Sequence, residues 1–288
     1  MSSLDARSVT NSSSILEVEP VGATLGARIS NIDLASCGPD EVDAIRHAFD
    51  EYSVLVFPNQ DLSPSEQIRF TGHFGPVARH PLYRSAALDG HPEILVIDHK
   101  DGRYVNGRND MWHSDITFAE EPPLGSVLYC RQATTGLGDT QFCSMRSAYQ
   151  NLSPGLKRTL DTLHAEHSAI RMVEINNSRP YNVPIETVPK TVSHPVVRTH
   201  PGNGSRGLFV NPIYTLRLCD MTEAESAPLL DHLYEVATQV ENIYRHRWQI
   251  GDVVMFDNRC TMHYVVPDYG PEIHRLMHRT TAAGERPY

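Results

Sequence analysis

The chain has 288 residues, 40% of them hydrophobic, and a formal net charge of −10 at pH 7. It is long enough to bury a sizeable core, and it carries no basic block or arginine–lysine stripe, which argues against a nucleic-acid partner. No apolar window is long enough to span a bilayer. Cys37, Cys130, Cys143, Cys219 and Cys260 are scattered without a C-x-x-C pair, which excludes a thiolate zinc pattern or disulfide scaffold and fits a reducing cytoplasm.

Residues 1–14 are polar and serine-rich and read as a disordered tail, not a secretory signal. "ILEVEPVGATLGARISNIDL" then reads as short strands broken by Pro and Gly. In "PDEVDAIRHAFDEY", Val42, Ile45, Phe49 and Tyr52 fall on one helical stripe. "SVLVFPNQ" and "EILVID" are buried-strand candidates. Between them Ser63, Pro64 and Glu66 write a capping box with Pro at the first helical position. Strands are expected over 112–118, 125–131 and 139–143, followed by one or two helices in "SAYQNLSPGLKRTLDTLH". Residues 169–192 have weak periodicity and read as a long loop, an active-site lid. Strands resume at "HPVVRTH" and "GLFVN". Thr222 and Glu225 open a helix of about five turns running through "SAPLLDHLYEVATQVENIY". "RHRWQI", "DVVMFD", "TMHYVV" and "HRLMHRTTAA" complete the strand set. Many short strands with a few outer helices suggest a mainly β chain with peripheral helices (α+β) and a jelly-roll double sheet, as one domain over 15–288.

The count of 15 histidines makes H-x-D/E pairs frequent by chance, so context must rank them. His99/Asp101 lies in a polar, Gly- and Asn-punctuated stretch and reads as solvated. His164/Glu166 sits at a helix-to-strand exit without an aromatic frame. His113/Asp115 in "MWHSDITF" has the stiffest setting. If 112–118 is a strand, His113, Asp115 and Thr117 share one face, with Trp112, Ser114, Ile116 and Phe118 on the other. Such a pair is either hydrogen-bonded or two corners of a metal site. A late, strand-borne histidine would complete the two-histidine, one-carboxylate face of a non-haem Fe(II) site, which leaves positions open for oxygen and a cosubstrate. His263, after an Asp257-Asn258 turn, is that candidate. In "HRLMHRTT", a strand would put Arg275, Met277 and Arg279 on one face. Two inward arginines are costly unless they meet anions, whereas an edge strand would let them reach solvent.

W-H-S-D-I-T-F, D-N-R-x-x-x-H-Y and R-L-M-H-R together resemble the TauD/TfdA family of Fe(II)- and 2-oxoglutarate-dependent dioxygenases, from about residue 15 to the C-terminus. The resemblance implies a double-stranded β-helix core of jelly-roll, cupin-like type. It implies Fe(II) on His113, Asp115 and His263, with these as the catalytic centre. It implies 2-oxoglutarate on Arg275 and Thr140, and O2 as the oxidant. By similarity to taurine dioxygenase, His80, Asn109 and Arg279 hold the substrate, with Arg279 on its anionic group. Tyr214 and Val173 stand at pocket positions that differ from that enzyme, so the pocket differs from one built for taurine.

The expected reaction is hydroxylation of an sp3 C–H of a small organic anion, a sulfonate or sulfate ester, with release of succinate and CO2. The presence of Asp115 at the acid position implies hydroxylation and not halogenation. The alternatives are a carboxylate-directed, aryloxyalkanoate-type dioxygenase and, from another class, a jelly-roll metal-binding protein or zinc hydrolase without oxygenase activity. A homo-oligomer, dimer or tetramer, in the cytoplasm is expected, with no membrane partner.

Overall fold

The computed structural model describes residues 15–100, 103–105, 110–180 and 182–288. The tail 1–14 and Asn109 lie outside them. Eight strands frame the core: β1 (Val54–Phe57), β2 (His91–Lys100), β3 (Gly125–Gln132), β4 (Thr140–Ser144), β5 (Ile243–His246), β6 (Val253–Asp257), β7 (Thr261–Val265) and β8 (Arg275–Ala282). The major sheet runs β1-β6-β3-β8-β2, extended past β1 by Ala27–Ile29 and Val18–Pro20 and past β2 by Ala87–Leu88. The minor sheet runs β5-β4-β7. Together they form the expected double-stranded β-helix of jelly-roll type.

Helices cover the outside of the major sheet. Helix α1 (Pro39–Tyr52) buries Val42, Ile45 and Phe49, and α2 (Pro64–Gly72) starts at the Ser63–Glu66 capping box. Phe49, Phe70 and Phe74 pack with Val253 and Met255 of β6. The alternate β6 residues, Val254 and Phe256, pack inward with Phe142, Trp248 and Met277. That is the two-residue alternation of a strand buried on both faces, and each fully buried apolar side chain contributes about 2–3 kcal/mol.

The same alternation aims β8. Met277 belongs to the inner cluster, so Arg275 and Arg279 also face inward, and both are buried. On the outer side, Gln67 of α2 donates to the His278 carbonyl and to Thr280 Oγ1.

Four expectations change. Residues 112–118 are not a strand: His113 makes one isolated bridge to His263, and a turn follows in which Ile116 takes a φ of 54°. A β-branched residue in the left-handed region breaks any strand, so the supposed two-faced alternation does not exist. Trp112 stacks on Tyr264 while Phe118 lies against Tyr214, and Thr117 turns to His167 and Asn211. The 169–192 stretch begins with helix α3 (Ile170–Asn177), because Met172, Val173 and Asn176 bury one face. The Thr222-capped helix α4 (Glu223–Ala237) ends sooner than expected, since Asn242 beyond it turns back to bond the Val236 carbonyl and the chain enters β5. His99 is buried within β2, and its Nδ1 bonds the Ile273 carbonyl at 2.8 Å; Asp101 lies outside the described residues. His164 stays exposed, and Glu166 pairs with Arg217 at 3.0 Å. No helix among the described residues is long and apolar enough to cross a membrane.

Candidate active site

The minor-sheet strand β7 and the turn after Met111 meet at His113 and His263. Each backbone N–H donates to the other's carbonyl, at 3.1 and 2.8 Å. This bridge brings the two rings to a centroid separation of 4.1 Å. The turn then carries Asp115 back beside them, with Oδ1 3.8 Å from His113 Nε2. One donor atom from each of His113, Asp115 and His263 lies within 4.8 Å of the others, and all three residues are buried.

The chemistry of this donor set fits a divalent iron. His113 Nδ1 is committed to the Met111 carbonyl at 2.7 Å, which leaves Nε2 with its lone pair toward Asp115. Among the described residues, the buried Nδ1 of His263 has no hydrogen-bond partner. Burial, opposed in part by Asp115, pushes His113 below its ordinary range. Burial and the neighbouring His113 push His263 well below its own. Both rings are therefore neutral donors at pH 7. Burial alone would raise the Asp115 carboxyl, but the Arg279 guanidinium, with the Ser126 hydroxyl, opposes it and holds the group ionised. Arg279 Nη1 donates to Asp115 Oδ1 at 2.8 Å, and the Ser126 hydroxyl donates to Oδ2 at 3.0 Å.

Next to this set a narrow pocket is lined by Ile97, Leu128, Thr140, His263, Val265, Arg275 and Arg279. Arg275 and Thr140 meet there. Arg275 Nε donates to the Gly138 carbonyl at 3.0 Å, and Nη2 lies 3.5 Å from Thr140 Oγ1. Thr140 Oγ1 also accepts from Trp248 Nε1 at 2.9 Å. Among the described residues no carboxylate stands within ion-pair distance of Arg275, although it is buried. A buried guanidinium with spare donors calls for a planar anion.

Arg279 faces the same space and keeps a buried Nε without a partner among the described residues. His80 lies close by: burial, then the charge of Arg279, depresses its ring to about 3. Its Nδ1 accepts from the backbone N–H groups of Leu82 and Tyr83, so the neutral ring carries its proton on Nε2. Tyr214 is buried 6.5 Å from the His113 ring and 5.2 Å from Phe118, and Val173 of α3 belongs to the same apolar cluster.

The sequence reading missed three supporting residues. In sequence Asn258 is only part of a turn, yet it grips the backbone of Asp115 on both sides. Ser126 is a lone hydroxyl in the apolar run "GSVLYC" and is fully buried; a polar residue at a buried strand position was the available signal. Trp248, one of two tryptophans, orients Thr140 from 108 residues away, which no local pattern announces.

Residues 17–281 match the family described as taurine catabolism dioxygenase TauD, TfdA family. An alpha-ketoglutarate-dependent 2,4-dichlorophenoxyacetate dioxygenase of Cupriavidus pinatubonensis is 36% identical over 258 residues, covering 85% of this chain and 90% of that protein. An alpha-ketoglutarate-dependent sulfate ester dioxygenase of Pseudomonas putida is 35% identical over 285 residues, covering 94% and 91%. A crystal structure described as a taurine dioxygenase from Burkholderia xenovorans superposes with a TM-score of 0.80 at 31% identity, covering 94% of this chain and 90% of that one. The chain belongs to the TauD/TfdA family and is an Fe(II)- and 2-oxoglutarate-dependent dioxygenase.

Proposed function

We propose that His113, Asp115 and His263 hold the iron, that Arg275 and Thr140 hold 2-oxoglutarate, and that Arg279, with His80, Tyr214 and Asn109, holds a small organic anion. The substrate is a sulfonate or sulfate ester hydroxylated at an sp3 carbon. The observation that carries this reading is the buried Arg275, which has no acidic partner among the described residues. The distal carboxylate of 2-oxoglutarate is the counter-charge it lacks, and a metal-binding protein or hydrolase has no use for one.

When bound, iron and 2-oxoglutarate supply the oxidising power, with O2 consumed, 2-oxoglutarate decarboxylated to succinate and CO2, and one oxygen atom placed in the substrate C–H bond. The chain's own residues position and shield. Arg275 and Thr140 fix the cosubstrate by its far end. Arg279 brings the anionic group beside Asp115, so the nearest C–H faces the ligand triad. The segment 169–192 acts as a cover, since Met172, Val173 and Ile185 pack with Tyr83 and Tyr214 against the site. If the hydroxylated carbon bears a sulfonate or a sulfate-ester oxygen, the product collapses to an aldehyde with loss of sulfite or sulfate.

A carboxylate-directed reaction of aryloxyalkanoate type is the second reading, favoured by the 36% identity to a 2,4-dichlorophenoxyacetate dioxygenase. Succinate formation with sulfonates, alkyl sulfates and aryloxyalkanoates, each corrected for substrate-free turnover, separates the two. Anaerobic Fe(II) with 2-oxoglutarate should give a weak visible charge-transfer band; its absence sinks the assignment of both sites.

A further inference from the structure

The three minor-sheet strands end together beside the pocket that holds Arg275. Thr140 opens β4, and its ladder partners are His246, the last residue of β5, and Val265, the last of β7. Thr140, Val265 and Arg275 line the pocket. Two loops meet at this end of the sheet: 133–139, which leads into β4, and 266–274, which joins β7 to β8.

Asp268 ties the two loops together. Its Oδ1 accepts the Gly138 N–H at 2.7 Å, and its Oδ2 accepts from Arg245 Nη2 at 3.0 Å. Arg245 reaches the other loop with Nε, which donates to Asp139 Oδ2 at 2.7 Å. The Val266 N–H donates to the Asp139 carbonyl at 2.8 Å. Asp139 is fully buried, and Arg245 is its ion-pair partner among the described residues. A buried carboxylate needs its counter-charge in place, so Asp139 fixes one arm of Arg245 and Asp268 receives the other.

The same few residues hold Arg275. The Gly138 carbonyl accepts from Arg275 Nε at 3.0 Å, so Gly138 has its N–H on Asp268 and its carbonyl on the guanidinium. Gly138 adopts a φ of 63°, and a Cβ there would lie 3.0 Å from Arg275 Cδ and 3.2 Å from the Tyr269 ring. Tyr269 stands edge-on to His99, the ladder partner of Arg275. Arg275 is thus held by neutral acceptors, the Gly138 carbonyl and the Thr140 hydroxyl. Such acceptors grip a guanidinium less firmly than a carboxylate does. The direction of its fork therefore depends on how rigidly Gly138 is fixed.

We propose that Asp268, braced by Arg245, is a positioning residue for 2-oxoglutarate: it acts through Gly138 to keep the Arg275 guanidinium aimed at the distal carboxylate. A half-exposed ion pair adds little to fold stability; this one sets a direction. The inference rests on the role of Arg275 given above and adds the residues that orient it.

The test is a pair of anaerobic titrations. Fe(II) is titrated into the metal-free protein, and 2-oxoglutarate into the Fe(II)-loaded protein, with the visible band as the readout. Asp268→Ala removes both bonds from a side chain that is one-third exposed, so the fold should survive. Gly138→Ala crowds Arg275 without touching the ion pairs, and serves if the first variant fails to fold. Either should raise the Kd of 2-oxoglutarate about tenfold, the equivalent of one hydrogen bond lost from the site, while the Kd of Fe(II) stays within about twofold of wild type. A 2-oxoglutarate Kd within about twofold of wild type overturns the proposal. So does an equal loss of Fe(II) affinity, which marks a general loosening of the core. Failure of the underlying reading looks different: the wild type develops no band, or Arg275→Ala leaves the Kd of 2-oxoglutarate unchanged.

Discussion

Asn258 clamps the backbone of Asp115 from both sides. Its Oδ1 accepts the Asp115 N–H at 2.5 Å and its Nδ2 donates to the Asp115 carbonyl at 2.8 Å, across 143 residues of sequence. The clamp holds a turn whose next residue, Ile116, sits at a φ of 54°. Such a conformation persists only where its surroundings over-determine it. Asn258→Ala leaves two buried backbone groups unpaired, and should lower stability by about 2–3 kcal/mol and weaken Fe(II) binding. Urea denaturation of the metal-free protein and an Fe(II) titration check the two effects; unchanged iron affinity would refute the positioning role.

Arg275→Ala removes the one cation assigned to the distal carboxylate of 2-oxoglutarate. Losing one partner of a buried charge pair costs about 2–5 kcal/mol, so 2-oxoglutarate affinity should fall on the order of a hundredfold or more. Fe(II) affinity should change little, because Arg275 is hydrogen-bonded to the Gly138 carbonyl and Thr140 and not to the ligand triad. Calorimetric titration of each ligand into the variant separates the two, and equal losses would contradict the assignment.

Metal removal should destabilise the fold. The two imidazoles and the carboxylate come from a turn and from β7, which meet at the His113–His263 bridge, the Ser114 hydroxyl on the Thr261 carbonyl and the Trp112–Tyr264 stack. An ion held by both adds stability by mass action, about 2.7 kcal/mol at a hundredfold excess over its Kd. Thermal melts with chelator and with anaerobic Fe(II) should differ by several degrees, and substituting His263→Ala should abolish the difference.

Asp257 predicts an acid limit. Burial would raise its carboxyl, but Arg259, hydrogen-bonded to it at 2.9 and 2.7 Å, and His200, at 2.8 Å, outweigh burial and hold it far below the usual carboxylate range. A depressed folded value contributes stability that is complete above the unfolded value of about 4 and is lost as the pH falls below it. Stability should therefore be flat in this respect above about pH 5 and decline below about pH 4. Asp257→Asn should cost about 2–3 kcal/mol near neutrality, because buried Arg259 keeps only the Asp50 carboxylate, at 3.2 Å, as its counter-charge, and should flatten the acid decline. Urea midpoints between pH 3 and pH 7 measure both.

Much of the architecture was legible because its signals are local. The Ser63 and Thr222 capping boxes are satisfied by residues three positions on, and the stripe of α1 is a property of 14 consecutive residues. That Arg275, Met277 and Arg279 share a face follows from two-residue alternation, whereas the packing of Met277 in the inner cluster decides that the face is the inner one. Where alternation was applied to 112–118 it failed, because a single left-handed residue and a long-range amide clamp replace the strand by a turn. The buried place of His99 was likewise hidden: its polar surroundings in sequence say nothing of the Ile273 carbonyl 174 residues away that accepts it.

The sequence by itself determined which groups are available: two histidines and an acid in a recognisable order, two arginines on one strand face, and a jelly-roll set of strands, all carried by residue type and short spacing. Tertiary structure alone decided how they meet. The His113–His263 bridge, the Asn258 clamp and the Trp248 bond to Thr140 join segments far apart in the chain. Such contacts arise from packing geometry in three dimensions, which no local period encodes.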